Sequence, residues 1–599
     1  MTGTNGDVSS SNSNTASPAS TPTNSDLSLL KSESYFQYTR ILDGKTSSVS
    51  FIAKDSTGRI ISQGGLTVVF ELAVDGTSSG TFSAVTDNSN GLYTATFTGT
   101  SIGTSISLKT KVGGSYVTSL SPQIQVGPGS YFRKISVVPA TTTSEYQVKV
   151  DLNTSNFDYS KAKSDGSDLR FYSEIFAFIQ PFDYWIEKWD SSGTSTIWVQ
   201  VAGIATSAFY LFYGNDLATS NSSKIETFSY SAAKDLYYNM SSYTAGSTTM
   251  SICNYGAAAD VTATVSTGTE TNNILQDACV NFSNTRQGVI SAVTPIVGRV
   301  VHSSGHDTVM PISFATSLTG YPKSRGADQY RFFNPNAVDA AVTLYDYDSS
   351  GTLLGTFPYS VTAGNFLNVV QDFTTFGLVE SSIPILTMYN YSNASDVVDL
   401  VKGGKDLLGV IASSAAIGFL KNGTSGTAYH SNATTTVFIG DKGGSKVLAG
   451  GGSQNAGVAV RVISNKEVVG AGQADGDGSD SEAFWPVDLL EDDYLIPTAS
   501  QYVKIACHQT VNITVLNPDT STYGTGTCTP TGNTPGVIDF GDPGAGIPIL
   551  TGSRVLGDKA FYLYYEYSNQ DESNLYGIKH ARPYQYPESI PSIGSEGSW

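Results

Sequence analysis

The sequence has 599 residues, a formal net charge of −19 and a charged fraction of only 14%. Its 39% hydrophobic residues include 34 Tyr and 27 Phe, enough apolar surface for several cores, which argues against a wholly disordered chain. The excess of 52 acidic over 33 basic residues argues against a nucleic-acid binder. We therefore predict an acidic, β-rich protein of several domains.

Signals for membrane insertion are missing from the sequence pattern. No segment reaches the roughly 18 consecutive apolar residues that a membrane span needs. The nearest, residues 407–419, is predicted to form two buried strands around a turn. The N-terminus has no signal-peptide pattern, which leaves a mature secreted chain with an added Met or a cytosolic start as alternatives.

The four cysteines fall into two local pairs, Cys253 with Cys279 and Cys507 with Cys528. In each pair the first cysteine follows a β-patterned segment and the second lies beyond a Thr-rich run, as on two neighbouring strands. Neither pair has the Cys-x-x-Cys spacing of a zinc site. We predict two disulfides, the alternative being four buried thiols. Disulfides favour an extracellular location, at the cell surface or in a secreted matrix.

The N-terminal part divides into a polar segment and a domain. Residues 1–33, rich in Ser and Thr, are predicted to be flexible because they hold too few apolar residues to offset the entropy of ordering. Residues 34–128 form short alternating runs with turns at 55–58 and 87–91, which is typical of a β-sandwich. Their order resembles the immunoglobulin-like repeats of invasin-type adhesins and filamins, which implies a spacer.

Residues 129–230 show a different succession of aromatic strands. The motifs are Asp-Leu-Arg-Phe at 168–171, Tyr-Trp-Ile-Glu-Lys-Trp at 184–189, Trp-Val-Gln-Val at 198–201 and Tyr-Leu-Phe-Tyr-Gly-Asn at 210–215. This succession resembles an uncharacterised β-sandwich module of many bacterial and archaeal envelope proteins. The resemblance implies a fold and a place in the cell envelope, without an activity.

Three of the five Trp lie in this module, at Trp185, Trp189 and Trp198. One interpretation is a ligand-stacking platform for carbohydrate. The other is core and rim packing, since Trp supplies much buried area. Because Trp185 and Trp189 are four residues apart on a predicted strand, we expect them on the same face.

Residues 231–580 contain a repeat of about four units. Apolar strands entered from a small polar turn align at Pro295, Pro384, Glu467 and Ala560, with spacings of 89, 83 and 93 residues. This length fits either two propeller blades or one sandwich. The pattern resembles the propeller-like head region of IgG-Fc-binding surface proteins, without carrying over their binding activity. Residues 581–599 are predicted to be a C-terminal tail.

An acidic loop follows each repeat strand, and the densest cluster comprises Asp475, Asp477, Asp480 and Glu482. Calcium prefers six to eight oxygen ligands, and such a loop can supply several of them. The cluster departs from an EF-hand, because Asp480 stands where that motif needs Gly. Two interpretations remain open, a Ca²⁺ site and a solvated acidic turn.

Enzyme signatures are missing as well. The sequence has no Gly-x-Ser-x-Gly elbow, P-loop or dinucleotide fingerprint, and its five His are scattered. We therefore predict no catalytic residues. A polysaccharide-acting enzyme with paired carboxylates far apart in sequence is a third alternative.

The acidic, Ser/Thr/Gly-rich composition resembles bacterial S-layer and biofilm-matrix proteins, which implies lateral assembly and Ca²⁺ dependence. We predict a non-catalytic structural protein whose partners are copies of itself in a lattice or filament, and envelope glycan or polysaccharide. At −19 per copy, close-packed subunits repel, and divalent ions would bridge them. The alternative function is an adhesin that binds glycan or protein through the C-terminal repeats.

Overall fold

The computed structural model describes residues 21–598, except 138–144, 175–177, 179–180, 203–205, 241–248, 284, 303–304, 323–327, 392–396, 412–413, 449–457, 474–480, 542–548, 567–571 and 579–590. These residues form almost only β-strands, interrupted by 3₁₀ turns and one short helix, α1 (Lys224–Thr227). Within them, no helix is long and apolar enough to cross a membrane. The prediction of an all-β, multi-domain protein is confirmed.

The first domain is a sandwich of two sheets. Its strands are β1 (Glu33–Phe36), β2 (Arg40–Leu42), β3 (Thr46–Ile52), β4 (Val68–Leu72), β5 (Ser79–Phe82), β6 (Thr86–Asp87), β7 (Leu92–Ser101), β8 (Ile106–Val112), β9 (Ser115–Tyr116) and β10 (Gln123–Gly127). One sheet has the order β1-β3-β7-β5 and the other β2-β10-β8-β4. Alternate side chains such as Val49 and Phe51 fill the space between them.

Part of the segment predicted to be flexible belongs to the first domain. Residues 1–20 lie outside the described residues, but from Asn24 the chain belongs to the first domain. Leu27 bridges to Asp55, and the side chains of Leu27 and Leu29 pack against the domain core. These leucines supply apolar contact that the Ser/Thr-rich composition of the segment as a whole concealed.

The second domain is also a sandwich, and α1 follows it. Its strands are β11 (Tyr131–Ser136), β12 (Glu145–Asn153), β13 (Arg170–Tyr172), β14 (Tyr184–Lys188), β15 (Thr194–Ala202) and β16 (Ala208–Tyr213). One sheet contains β13-β16-β11 and the other β12-β15-β14. The two sheets enclose a core of their own, to which Val148, Phe171 and Leu211 belong.

Residues 234–574 form four successive units. Unit 1 has β17 (Lys234–Asn239), β18 (Thr249–Asn254), β19 (Ala259–Val265), β20 (Gly268–Ile274), β21 (Cys279–Phe282), β22 (Gly288–Ala292), β23 (Ile296–His302) and β24 (Gly305–Pro311). Unit 2 has β25 (Thr316–Tyr321), β26 (Asp328–Phe333), β27 (Ala340–Tyr347), β28 (Leu353–Val361), β29 (Phe366–Gln371), β30 (Phe376–Tyr391) and β31 (Val397–Leu400). Unit 3 has β32 (Gly404–Ile411), β33 (Ser414–Phe419), β34 (Thr424–His430), β35 (Thr435–Gly440), β36 (Ser445–Leu448), β37 (Val458–Gln473), β38 (Ser481–Ala483) and β39 (Trp485–Pro486). Unit 4 has β40 (Glu491–Leu495), β41 (Tyr502–Cys507), β42 (Val511–Leu516), β43 (Thr522–Cys528), β44 (Gly536–Gly541), β45 (Arg554–Glu566) and β46 (Glu572–Asn574).

The strands of each unit form two groups, and a long strand runs through both. In unit 2 the first half of β30 pairs with β25 and β27, and its second half pairs with β26 and β31. The long strands β37 of unit 3 and β45 of unit 4 also pair with different neighbours along their two halves. In unit 1 two separate strands, β22 and β23, take the place of the long strand. These pairings connect the strands of each unit into one hydrogen-bonded sheet with two sandwich-like halves, so the choice between propeller blades and tandem sandwiches stays a prediction.

The four aligned sequence positions lie where the long strand passes from one half of the sheet to the other. Pro295 separates β22 from β23, and Pro384 lies between the two pairing regions of β30. Proline has no backbone N–H to donate, so it is tolerated where ladder hydrogen bonding is interrupted. Glu467 and Ala560 occupy the same place on β37 and β45.

The units close into a ring. Their last strands, β24, β31, β38 and β46, contact one another in that order, and β46 also contacts β24. One buried apolar cluster includes Ile252 of unit 1, Phe332 of unit 2, Leu408 of unit 3 and Ile505 of unit 4. The four units therefore form one body.

The predicted C-terminal tail is corrected, because its last residues form a strand. β47 (Ser592–Ser598) pairs antiparallel with β11 and extends the sheet of the second domain to β13-β16-β11-β47. Ile593 packs against the core of that domain. The prediction failed because this strand consists largely of Gly and Ser, which are poor strand formers.

Candidate functional site

The predicted calcium cluster lies mostly outside the described residues. This holds for Asp475, Asp477 and Asp480, so the calcium site stays a prediction. Glu482 is buried on β38, one of the inner strands of the ring. Across the part of the chain that the structure describes, no group of three or more His, Cys, Asp or Glu side chains is suited to hold a metal.

Two of the three Trp lie at the junction between the second domain and the ring. Trp185 and Trp198 are directly opposite each other on β14 and β15, and both contact the ring of Phe228. Trp198 Nε1 donates to Glu187 Oε2 over 2.9 Å. Both indoles pack with the apolar cluster of the ring, and Trp198 is nearly fully buried.

Trp189 lies on the other side of its sheet, so the expectation of a shared face is wrong. The pairing of β14 with β15 shifts register between Ile186 and Lys188, and a one-residue shift reverses the side-chain alternation. Trp189 packs edge-on against Phe157 and Tyr159, next to the domain core. The three indoles therefore form no common platform.

Both predicted disulfides are present. Cys253 and Cys279 are direct neighbours on β18 and β21, within one sheet of unit 1. Cys507 and Cys528 connect β41 and the end of β43, which belong to the two different halves of the unit 4 sheet. The covalent cross-links thus lie in the first and last units of the ring.

The second domain is fixed to unit 4 by a buried lysine. Lys224, the first residue of α1, places Nζ 2.9 Å from Glu491 Oε2 and also pairs with Asp492. Its ammonium lies 4.7 Å from the ring centre of Trp185, a cation–π contact. Burial opposes the charged form, but the two carboxylates outweigh it and raise the pKa of Lys224. A charged lysine therefore holds the domains together.

The seam between units 1 and 4 is the one junction of the ring without a connecting peptide. Arg554 donates to both carboxylate oxygens of Asp493, over 2.8 and 2.7 Å, and its third nitrogen lies 3.0 Å from Asp277 of unit 1. Beside it, Tyr255 Oη accepts the backbone N–H of Leu495 over 2.8 Å. Polar contacts with fixed directions therefore define this seam.

Three aromatic side chains from distant parts of the sequence meet inside the ring. Phe314, in the connection between units 1 and 2, lies 5.2 Å from Trp485 of unit 3 and 5.9 Å from Tyr576, which follows unit 4. All three are almost completely buried. We call Phe314, Trp485 and Tyr576 the aromatic hub. It connects parts of the ring that are distant in sequence.

The edge of β11 that receives β47 carries an ionic cluster, and we call this edge the strand slot. Glu596 of β47 pairs with Lys161 and accepts a hydrogen bond from Tyr213 Oη. Arg133 donates to the Gly594 carbonyl oxygen over 3.0 Å. Burial opposes ionisation of Glu596, but the hydrogen bonds from Lys161 and Tyr213 outweigh it and lower the pKa of this carboxyl.

A cleft of about 350 Å³ opens beside the strand slot. Its walls are Arg133, Thr154, Ser155, Phe157, Asp158, Tyr159, Ser160 and Ser191. Arg133 thus contributes to the cleft as well as to the slot, and its buried Nε has no hydrogen-bond partner.

Unit 3 exposes branched apolar side chains on two neighbouring edge strands. Val437 and Ile439 on β35 are 72% and 83% exposed, and Val447 on β36 is 66% exposed. Among the residues that the structure describes, each of these strands pairs on one side only, and such an edge can accept another strand. We call these residues the unit 3 patch. Sequence reasoning missed both the unit 3 patch and the strand slot, because local patterns do not reveal which strands lie at an edge.

Two segments match known families. Residues 30–129 match the family described as Invasin, domain 3, and residues 165–244 match a domain of unknown function (DUF2341). The first match confirms the predicted invasin-like immunoglobulin domain. The second covers most of the segment predicted to be an uncharacterised module and extends into unit 1. Each match identifies a domain within the chain.

Some solved structures overlap with parts of the chain. The Yersinia pseudotuberculosis adhesin InvE has 14% identity over 50% of this chain and 70% of its own, with a TM-score of 0.17. The Escherichia coli adhesin FdeC has 12% identity over 63% of this chain and 96% of its own, with a TM-score of 0.17. Such low TM-scores carry no argument about the whole chain. No curated protein matches it significantly.

Proposed function

We propose that the protein is a non-catalytic adhesin of a bacterial surface, in which the first domain is a spacer and the ring is the head. The observation that carries the proposal is the invasin-type domain at residues 30–129, placed in series with the second domain and the ring. Two disulfides suit an oxidising, extracellular location.

The contacts between the domains support a spacer that holds its head in a fixed position. Lys45 of the first domain pairs with Asp216 of the second over 2.8 Å. Asn215 donates to the Asp43 carbonyl oxygen over 3.2 Å, and Ile102 packs against an aromatic cluster of the second domain. Lys224 then connects the second domain to unit 4.

The unit 3 patch is the surface of the head that we propose binds the partner. Branched apolar side chains on sheet edges suit another polypeptide, which can pair its backbone and bury its side chains there. We therefore propose a protein partner for the head, and glycan recognition is an outcome of the test.

The test measures ligand binding beside assembly. The purified full chain is applied to immobilised extracellular-matrix proteins and to a glycan array, and the same sample is viewed by electron microscopy. We expect saturable binding to a protein surface by monodisperse monomers. Binding to glycans alone would overturn the choice of a protein partner. Ordered sheets or filaments without saturable binding would overturn the adhesin function.

Matched variants locate the binding surface. Replacing Val437, Ile439 and Val447 with Thr preserves branched side chains and strand propensity but removes apolar area. We expect this variant to lose binding. The control replaces Val74 and Leu120 of the first domain, which are 98% and 94% exposed, with Thr, and we expect it to bind as the wild type does.

A second candidate function is a calcium-dependent, self-assembling surface layer or biofilm matrix. The net charge of −19 and the acidic segment 475–482, whose last residue lies on an inner strand of the ring, favour it. Calcium would screen repulsion between copies. We expect a chelator at low salt to disperse assembled material, and persistence of the assemblies would refute the calcium requirement.

A further inference from the structure

We propose that the strand slot accepts β47 from a second copy of this chain as well as from its own, so that copies are linked by strand exchange. This inference goes beyond adhesion by the ring, because it concerns the second domain and needs no external ligand. The partner it names is another copy of the same chain.

The slot recognises a strand through its backbone. β47 pairs antiparallel with β11 from Tyr131 opposite Ser598 to Ser136 opposite Ser592, with one irregularity between Arg133 and Ile135. Without β47, the outer N–H and C=O groups of β11 would form an open edge. Such an edge is a template for a strand from another chain.

Charge selects which strand can occupy the slot. Arg133 and Lys161 lie at this edge of a chain whose net charge is −19. The carboxylate of Glu596 lies near both and also accepts the hydroxyl of Tyr213. A strand with one acidic side chain at this register complements the slot, because a charge-assisted hydrogen bond needs both partners in place.

The space beside β11 further restricts which strand can occupy the slot. A Cβ atom on residue 597 would come too close to the end of the Phe132 ring, which would have to move, so this register favours Gly. The sequence Gly-Ser-Glu-Gly occurs once in the chain, at residues 594–597. Charge and shape together specify the sequence of β47, which every copy of the chain carries.

The weak anchoring of β47 allows it to be exchanged. Ile593 is its apolar contact with the core of the second domain, and the other side chains of the strand are half-buried or exposed. Within the chain, residues 579–591 separate Ile578 from β47, and thirteen residues can span up to about 45 Å. The contacts are the same within one copy and between two copies. The effective concentration of β47 near the slot therefore decides whether the strand comes from the same copy or from another copy.

Two full-chain variants test the exchange by complementation. The acceptor lacks residues 592–599 and has an open slot. The donor carries Arg133→Glu and Lys161→Glu, so its own slot repels Glu596 while its β47 is intact. We expect each variant alone to be monomeric and the mixture to form a one-to-one complex of twice the mass, measured by size exclusion with light scattering. A mixture that contains only folded monomers would overturn the proposal.

A charge reversal provides the matched control. Adding Glu596→Lys to the donor restores attraction within that copy and removes attraction to the acceptor. We expect this donor to form no complex. A complex of unchanged yield would show that association does not use the slot, which would also overturn the proposal.

A peptide experiment covers the case in which either variant fails to fold. A labelled peptide of residues 591–599 is titrated into the intact chain and followed by fluorescence anisotropy. We expect saturable binding that is at least about tenfold weaker for the Gly597→Val peptide. Absence of binding, or equal binding of both peptides, would overturn the proposal. Adhesion through the unit 3 patch is measured separately, so either proposal can fail while the other stands.

Discussion

The ring and the second domain are both closed by segments far apart in sequence, but by different means. The ring closes through side chains, including the buried aromatic hub and the contact of Arg554 with Asp277 across the seam. The second domain closes through the backbone ladder of β47 and the ionic cluster around Glu596. Deep packing makes the first closure costly to open, whereas the second exposes little apolar surface when it opens.

The largest effect is expected in the aromatic hub. Trp485→Ala should destabilise the ring by about 3–5 kcal/mol, because it removes a buried indole that packs against Phe314 and Tyr562. Hydrogen exchange should show weaker protection in units 1, 3 and 4 together. The matched control Trp189→Ala should weaken only the second domain. Loss confined to unit 3 would contradict a shared hub.

Reduction of the disulfides should have the next largest effect. The cross-linked cysteines are 26 and 21 residues apart, so each bond is expected to contribute about 3 kcal/mol. All four cysteines lie in units 1 and 4, and units 2 and 3 serve as an internal control. Hydrogen exchange with and without reductant should show protection lost first beside the seam. Equal loss in all four units would show that the ring opens only as a whole.

A matched pair of arginines isolates the seam. Arg554 and Arg461 each make a two-pronged ion pair with the first strand of their unit, but only Arg554 also reaches Asp277 in unit 1. We expect Arg554→Ala to cost about 2 kcal/mol and to weaken protection on both sides of the seam, since the pair is only partly buried. Arg461→Ala should affect unit 3 and its electrostatic interaction with His508 of unit 4, and leave unit 1 unchanged. Identical exchange patterns for both variants would contradict this distinction.

The smallest effect concerns pH at the strand slot. The pKa of Glu596 is lowered in the folded protein, so the folded state binds fewer protons than the unfolded state. Ionised Glu596 therefore contributes its full stabilisation of β47 pairing above the ordinary Glu pKa of about 4.3. This contribution is lost as the pH falls through the lower pKa that Glu596 has in the folded protein. Lys161, Arg133 and Tyr213 are the groups that face Glu596. Binding of the 591–599 peptide to the acceptor should weaken in acid, whereas a Glu596→Gln peptide should bind more weakly and without this pH dependence.

The sequence predicted those features that are formed by residues close together in the chain. Alternation revealed the strands, and the two cysteine pairs were recognisable because each bond joins nearby strands of one unit. The repeat alignment at Pro295 and Pro384 found the crossing between the halves of the sheet, since this position interrupts the ladder in each unit. The division of each unit's sheet into two halves could not be read from the repeat length, which suits blades and sandwiches equally.

Long-range pairing and single-residue irregularities could not be predicted. In the slot, Arg133 contacts Gly594, which is 461 residues away in sequence. No pattern in the Gly- and Ser-rich β47 indicates that it pairs with β11. The register shift after Ile186 moved Trp189 to the opposite face, although its spacing from Trp185 was correct for a regular strand. Ring closure could not be predicted from the sequence either, because it depends on the curvature of successive units. The predicted calcium ligands Asp475, Asp477 and Asp480 lie outside the described residues.

The direction of β47 determines how the second domain would respond to mechanical load. Tyr131 follows the first domain closely, and it is paired with Ser598 at the far end of β47. A pull between the first domain and residue 598 therefore acts at the same end of the ladder. In this peeling geometry the hydrogen bonds break one pair after another, in contrast to shear, where they resist together. The ring lies outside this line of force, so β47 would detach at low tension while the head remains folded.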